Sequence, residues 1–98
     1  MTLSIREKND LFRKTLMGGK VVLTSSVNES PRLSEILARV RNFDSFDANN
    51  DPHAEHDMGF FTIDDEDFIF KIDYYDDDYA YFKEDGNRVL TIMHSADY

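Results

Sequence analysis

The sequence predicts an α+β domain: two helices packed on one face of a four- to five-stranded, mainly antiparallel sheet, in the order α-β-α-β-β-(β)-β. Three observations predict it. Apolar residues recur at helical spacing in two segments before residue 44. Beyond residue 58 the period changes to two, the spacing of a half-buried strand. Acidic and Asp-Gly turn signals separate these later segments, as in a meander. The helices must bury their stripes against one sheet face, which leaves the other partly solvated.

Residues 4–16 read as the first helix. Ser4 is placed to cap it, and Glu7 completes a capping box. Ile5, Phe12 and Leu16 share a face, with Leu11 beside it, and Gly18-Gly19 is the expected stop. Lys20–Thr24 is short and β-branched, a strand signal. The second helix has Ser30 as its expected N-cap and Pro31 at its first position. Leu33, Ile36, Leu37 and Val40 form its apolar stripe, which Phe43 extends, while Arg39 and Arg41 suit the negative end of its dipole. Residues 44–56 are a long polar loop, a length often tied to function.

Strands are then expected over Gly59–Asp64 and Asp67–Tyr75, joined by a turn at Asp65-Glu66. In the second, Phe68, Phe70, Ile72 and Tyr74 point one way; Ile69, Lys71, Asp73 and Tyr75 point the other. Asp76-Asp77-Asp78 turns the chain into a short strand over Tyr79–Lys83. The Asp85-Gly86 hairpin signal then leads to a final strand over Arg88–His94.

Ninety-eight residues fit a single domain spanning 1–98, with 41% apolar and 13% aromatic residues to build its core. There is no Cys, which excludes disulfides and thiolate metal sites and fits a reducing compartment. No apolar run is long enough to span a bilayer, and the first residues lack the apolar core of a signal peptide. A cytoplasmic location is therefore expected, in a bacterium or a phage-infected one.

Charge divides the chain. Residues 1–43 hold eight Lys and Arg against four Asp and Glu, a net of +4; residues 44–98 hold three against sixteen, a net of −13. Most of the aromatic residues lie in the acidic half. The overall charge of −9 argues against direct binding to nucleic acid and to anionic membranes, and favours cations and basic protein grooves.

Four segments taken together carry a resemblance: Lys20-Val-Val-Leu-Thr24, Asn50-Asp-Pro-His-Ala-Glu-His-Asp-Met-Gly59, Lys71-Ile-Asp-Tyr-Tyr-Asp76 and Val89-Leu-Thr-Ile-Met93. With Arg39-Val-Arg-Asn-Phe-Asp44, the chain resembles a small proteobacterial domain family of unknown function, also found on mobile elements. The resemblance covers nearly the whole chain in order, and implies no activity, cofactor or catalytic residue. Between Asp76 and Val89 this chain is shorter than the pattern and carries Tyr79-Ala-Tyr81-Phe82.

Catalytic and metal chemistry find little support in the residues. Asp47, Asn49 and Asp51 begin like a calcium loop, but Pro52 stands where the loop's sharp turn needs Gly, and Met58 where it needs a bidentate Glu. His53, Glu55, His56 and Asp57 form a denser cluster of metal-ligand types. Its spacing is not that of a His-Glu-x-x-His helix, and no Cys pair makes it a deaminase site. The plainer reading is that His56 and Asp57 tie the loop to the sheet by hydrogen bonds. Ser25, Ser26, Ser45 and Ser95 lack a nucleophile elbow, and Gly18-Gly19 precedes a strand instead of opening a helix.

The acidic surface remains. Asp64, Asp65, Glu66 and Asp67 cluster at one turn, Asp76, Asp77 and Asp78 at the next, and Glu84 and Asp85 at a third. With a true strand at Tyr79–Lys83, the first and third turns share one end of the sheet, the second lies at the other, and Asp73 lines the face between. Such a track imitates the charge of a nucleic-acid backbone. Tyr75, Tyr79, Tyr81 and Phe82 add aromatic anchors of the kind that tighten interfaces. The plain alternative is a solvated face, or one paired with the basic helices. The expected function is thus a non-enzymatic interaction protein without cofactor. It would bind a basic nucleic-acid-processing protein or complex by DNA mimicry, in the manner of an anti-CRISPR inhibitor. The expected contact residues are Asp64, Asp65, Glu66, Asp67, Asp73, Tyr75, Asp76, Asp77, Asp78 and Tyr79. A metal-binding or hydrolytic domain built on His53, Glu55, His56 and Asp57 is the alternative.

Overall fold

Ser4 caps the first helix as its spacing predicts. Its Oγ accepts from the Glu7 amide at 3.2 Å, and Glu7 Oε1 accepts from the Ser4 amide at 3.1 Å. These bonds satisfy two of the amides that a helix start leaves without partners. The computed structural model describes residues 2–98. In it, helix α1 runs Ile5–Thr15 and strand β1 runs Lys20–Leu23. A short helix α2 covers Ser25–Asn28, and α3 covers Leu33–Arg41. Strands β2 (Met58–Ile63), β3 (Glu66–Tyr75) and β4 (Asn87–His94) follow, then a 3₁₀ turn at Ser95–Asp97.

The four strands form one sheet in the order β1-β4-β3-β2. β2–β3 and β3–β4 are antiparallel, while β1 lies parallel to β4, with Lys20 opposite Val89 and Leu23 opposite Ile92. The expected α+β architecture holds, and the helices cover one face. Phe12, Val27, Ile36 and Val40 from the helices pack on Phe61, Ile63, Phe68, Phe70, Ile72, Tyr74, Leu90 and Ile92 from the sheet. Burying a side chain of this size stabilises by roughly 1.5–3 kcal/mol, so this seam supplies most of the driving force.

Several boundaries differ from expectation. α1 ends before the glycines, because Leu16 takes a left-handed conformation (φ 58°) and sends its amide to Phe12 O at 2.7 Å. Gly19 serves packing instead: a side chain there would meet Arg88 O and the Phe12 ring. α3 starts at Leu33, because Ser30 Oγ bonds the Arg32 amide at 3.1 Å and makes residues 30–32 a turn. That turn follows α2, which buries Val27 completely and was too short for periodicity to reveal.

The largest difference is at residues 79–83. They form no strand; only an isolated bridge joins Tyr75 and Phe82. Asp76 Oδ1 accepts from the Ala80 amide at 3.0 Å, and Tyr79 turns left-handed (φ 55°), so turn chemistry outcompetes the aromatic residues' strand preference. Asp85-Gly86 therefore belongs to a wide loop between β3 and β4 instead of a two-residue hairpin.

On the open sheet face Phe60 and Val22 are exposed. Ile69, expected there, is instead buried beside its register partner Met93, where the 3₁₀ turn lies against β3 and β4. Gly59 in β2 is buried, and any side chain would run into the rings of Phe70 and Phe43.

The β2–β3 hairpin turns at Asp64-Asp65, one residue earlier than expected, because Ile63 pairs with Glu66. Both turn residues have positive φ (46° and 70°), the backbone of a tight hairpin that favours Asn and Gly. A left-handed non-glycine residue costs about 1–2 kcal/mol. Asp65→Gly is therefore expected to stabilise the domain by about 1 kcal/mol, raising the calorimetric melting temperature by roughly 4–8 °C; an unchanged or lower value would contradict the strain assigned to this turn.

Candidate functional site: an acidic and aromatic loop end

β3 separates the expected contact residues. Glu66 begins it and Tyr75 ends it, so the Asp64–Asp67 and Asp76–Asp78 clusters lie roughly 30 Å apart at about 3.3 Å per residue. Since residues 79–83 do not return along the sheet, Glu84 and Asp85 share the end occupied by Asp76–Asp78. The placement of the third turn beside the first is therefore corrected. The acid forms two clusters, with Asp73 between them on the open face.

The two ends differ in their pairing. At the hairpin, Arg32 reaches Asp64 Oδ2 at 3.1 Å and Glu66 Oε2 at 3.5 Å, and His94 Nε2 stands 3.7 Å from Glu66 Oε1. Thr62 Oγ1 donates to Asp67 Oδ1 at 2.6 Å. Asp64 and Glu66 thus share Arg32, while exposed Asp65 makes no ion pair with a described residue. Asp73 is paired with Lys71 at 3.2 Å.

At the loop end the carboxylates shape the backbone. Asp76 holds the Ala80 amide, and Asp77 Oδ1 accepts from Asn87 Nδ2 at 2.9 Å. Asp78 is exposed and makes no ion pair with a described residue. Asp85 is held below its ordinary value by hydrogen bonds from Lys8 and Arg88, each 2.7 Å away. Tyr75 and Tyr79 lie near one another, with ring centroids 6.3 Å apart, and Lys20 Nζ sits 3.7 Å above the Tyr79 ring. Tyr81 and Phe82 are 75% and 73% exposed. An uncovered aromatic pair among carboxylates is the most interface-like feature of the surface.

The histidine loop is organised around α1. His56 Nδ1 lies 2.9 Å from Asp10 Oδ1, its Nε2 lies 3.7 Å from Asp51 Oδ2, and its ring stacks on Phe46 at 3.9 Å. Asp51 Oδ1 also accepts the amides of Glu55 and His56. The Asp57 carbonyl accepts from the Ile72 amide at 2.7 Å, so this residue does tie the loop to the sheet, while His56 ties it to the helix. Among the described residues no group of three or more His, Asp or Glu has the arrangement to hold a metal, and His53 is exposed.

Sequence reasoning missed the buried polar residues of α1. Asn9 is fully buried; its Nδ2 donates to Tyr74 Oη at 2.7 Å and to Glu55 O at 3.0 Å, and its Oδ1 accepts from Arg88 Nε at 2.7 Å. Burial pushes the Tyr74 phenol up to about 12. Arg13, 1% exposed, donates to Asp10 at 3.0 Å and to Phe43 O at 2.9 Å, and lies over the Phe46 and Phe70 rings. The signal was present, because Asn9 and Arg13 share the helix face of Ile5, Phe12 and Leu16. Polar residues on an apolar stripe mark a buried network.

These features define a small α+β domain, its sheet half-covered by helices, with an acidic, aromatic loop at one end. Residues 22–97 match the family described as Protein of unknown function (DUF3768), and the chain belongs to that family. No curated protein and no solved structure matches it. No helix among the described residues is long and apolar enough to cross a membrane.

Burial raises the Asp10 carboxyl, but hydrogen bonds from His56 and Arg13 outweigh it and set the group below its ordinary value. A lowered carboxylate adds stability that is full above the unfolded value and is lost as pH falls through the folded one. Asp10→Asn is therefore expected to destabilise by roughly 2 kcal/mol above about pH 5, since it leaves buried Arg13 without its carboxylate. The difference from the parent should narrow as pH falls below about 4, where the carboxyl begins to protonate. Urea titrations across pH 3–7 check this, and a difference independent of pH would contradict it.

Proposed function

We propose that this domain is a non-enzymatic interaction protein that presents its acidic, aromatic loop end to a basic surface of another protein. One observation carries the reading: Tyr81 and Phe82 stand exposed on the loop between β3 and β4, with Asp78 and Glu84 on the same loop. Apolar rings left in water are costly, and they gain from being covered by a partner. The flanking acid favours a partner rich in Lys and Arg and speeds the encounter.

Nucleic-acid-processing proteins carry grooves of that charge, so they are the favoured partner class. The finer form of the proposal is inhibition by DNA mimicry, of the anti-CRISPR kind, with Asp76, Asp77 and Asp78 standing in for phosphates and Tyr75 and Tyr79 beside them. The hairpin residues Asp64, Asp65, Glu66 and Asp67 form a second acidic contact on a large partner, weakened by the pairing with Arg32 and His94.

A partner captured from host lysate at low salt and released at high salt provides the assay. Replacing Asp76, Asp77 and Asp78 together by Asn keeps the oxygens that accept from Ala80 and Asn87, so the loop should persist. Association is expected to slow about tenfold at low ionic strength and to lose most of its salt dependence, with circular dichroism unchanged. An association rate equal to the parent's at all salt concentrations would overturn the proposal.

A further inference from the structure

Beneath the exposed loop, the start of α1, the end of the histidine loop and the last residues of β3 enclose a groove of about 340 Å³. Its aromatic lining comes from Tyr74, Tyr75 and Phe82. The Tyr74 and Phe82 rings stand 6.4 Å apart at 61°, forming a corner. The bridge to Tyr75 and the bond from the Lys83 amide to Tyr74 O (3.3 Å) hold Phe82 in place. Around the corner lie Glu55, Asp57 and Glu84, which make no ion pair or side-chain hydrogen bond with any described residue. Asp85, also on the rim, already has Lys8 and Arg88.

A groove with an aromatic wall and unopposed carboxylates is complementary to a cationic side chain. The molecule uses the same chemistry on itself nearby: Arg88 lies 5.3 Å from the Tyr74 ring centre, and Lys20 caps Tyr79. Phe82 has no such cation and is largely exposed.

We propose that this groove seats one arginine side chain of the basic partner, the guanidinium lying on Phe82 and donating to Glu55 and Asp57. Arginine is preferred to lysine because its flat, weakly hydrated group stacks on a ring while bonding carboxylates in its plane. The Asp57 carboxyl supports this: burial raises it, and Asp51 and Asp73 outbalance the nearby His53, so a cation here would offset their repulsion. The inference rests on the reading that this end of the domain meets a basic partner, and it names the anchor point.

The test uses the full chain, labelled for NMR, and three capped peptides identical except for a central Arg, Lys or Gln. The Arg peptide is expected to shift the Phe82 ring and the Glu55 and Asp57 amides, the Lys peptide to bind more weakly, and the Gln peptide to leave them unmoved. Phe82→Ala, at an exposed position, should weaken Arg binding about two- to fivefold, the size of a surface cation–π contact. Glu55→Gln with Asp57→Asn, which preserves shape, should abolish the selective shifts. Equal shifts with the Gln peptide, or shifts that survive the double variant, would overturn the groove assignment. Shifts confined to Asp76–Asp78 would overturn it while leaving the basic-partner reading intact. No shift at low salt with any peptide would overturn both.

Discussion

Four polar side chains around α1, three of them buried, hold the separate parts of this domain in register. Asn9 bonds the Tyr74 hydroxyl, the Glu55 carbonyl and the Arg88 guanidinium at once. Arg13 does the same for Asp10 and Phe43, and Asp10 passes the connection to His56. The fourth, Asp51, folds the loop back by accepting two of its amides. A buried polar group is costly unless its partners are in place. These residues therefore do more than add stability: they penalise any arrangement in which helix, loop and strands fail to meet. Phe46 and Phe43 complete the enclosure by packing on His56 and Phe70. The groove proposed to receive arginine is bordered by the same parts, since Glu55 and Tyr74 belong to both.

The division of charge takes on a structural meaning in this light. The basic N-terminal half is not held apart from the acidic half. Lys8 reaches Asp85, Arg32 reaches Asp64 and Glu66, and Lys20 covers Tyr79. Internal pairing engages Asp64 and Glu66 at the β2–β3 hairpin and Asp85 at the opposite end, and leaves Asp65, Asp78 and Glu84 without an ion pair among the described residues. Net charge alone could not distinguish these ends, because it counts residues without regard to their neighbours.

Much of the fold was legible in the sequence. The Ser4–Glu7 capping box is local, and it formed. The alternation of Phe68, Phe70, Ile72 and Tyr74 put all four in the core, because strand geometry enforces a period of two. A helix of barely one turn shows no repeat, so α2 was hidden. The Tyr79–Lys83 segment was misread because its residue types favour a strand, while Asp76 offers its backbone a turn. The candidate site was legible in composition, and its geometry was not. Asn9 and Arg13 could be flagged from their places on the α1 stripe. Their partners could not, since Arg88 lies 79 residues from Asn9. Asp57 fastens the loop to the sheet as expected, but His56 fastens it to α1 instead, through Asp10, a contact across 46 residues that no local pattern reveals.

The position of β4 has a consequence for how the protein is made. This strand, near the end of the sequence given, lies inside the sheet between β3 and β1. Until residues 87–94 leave the ribosome, β1 has no neighbour to pair with, and β3 shows a bare edge to solvent or to any chaperone within reach. Folding must then wait for synthesis to reach residue 94 and for contacts spanning most of the chain to close, such as Lys20 with Val89. A nascent chain halted before that point would leave one edge of β3 unpaired, and quality-control proteases would meet an open sheet in place of a finished domain.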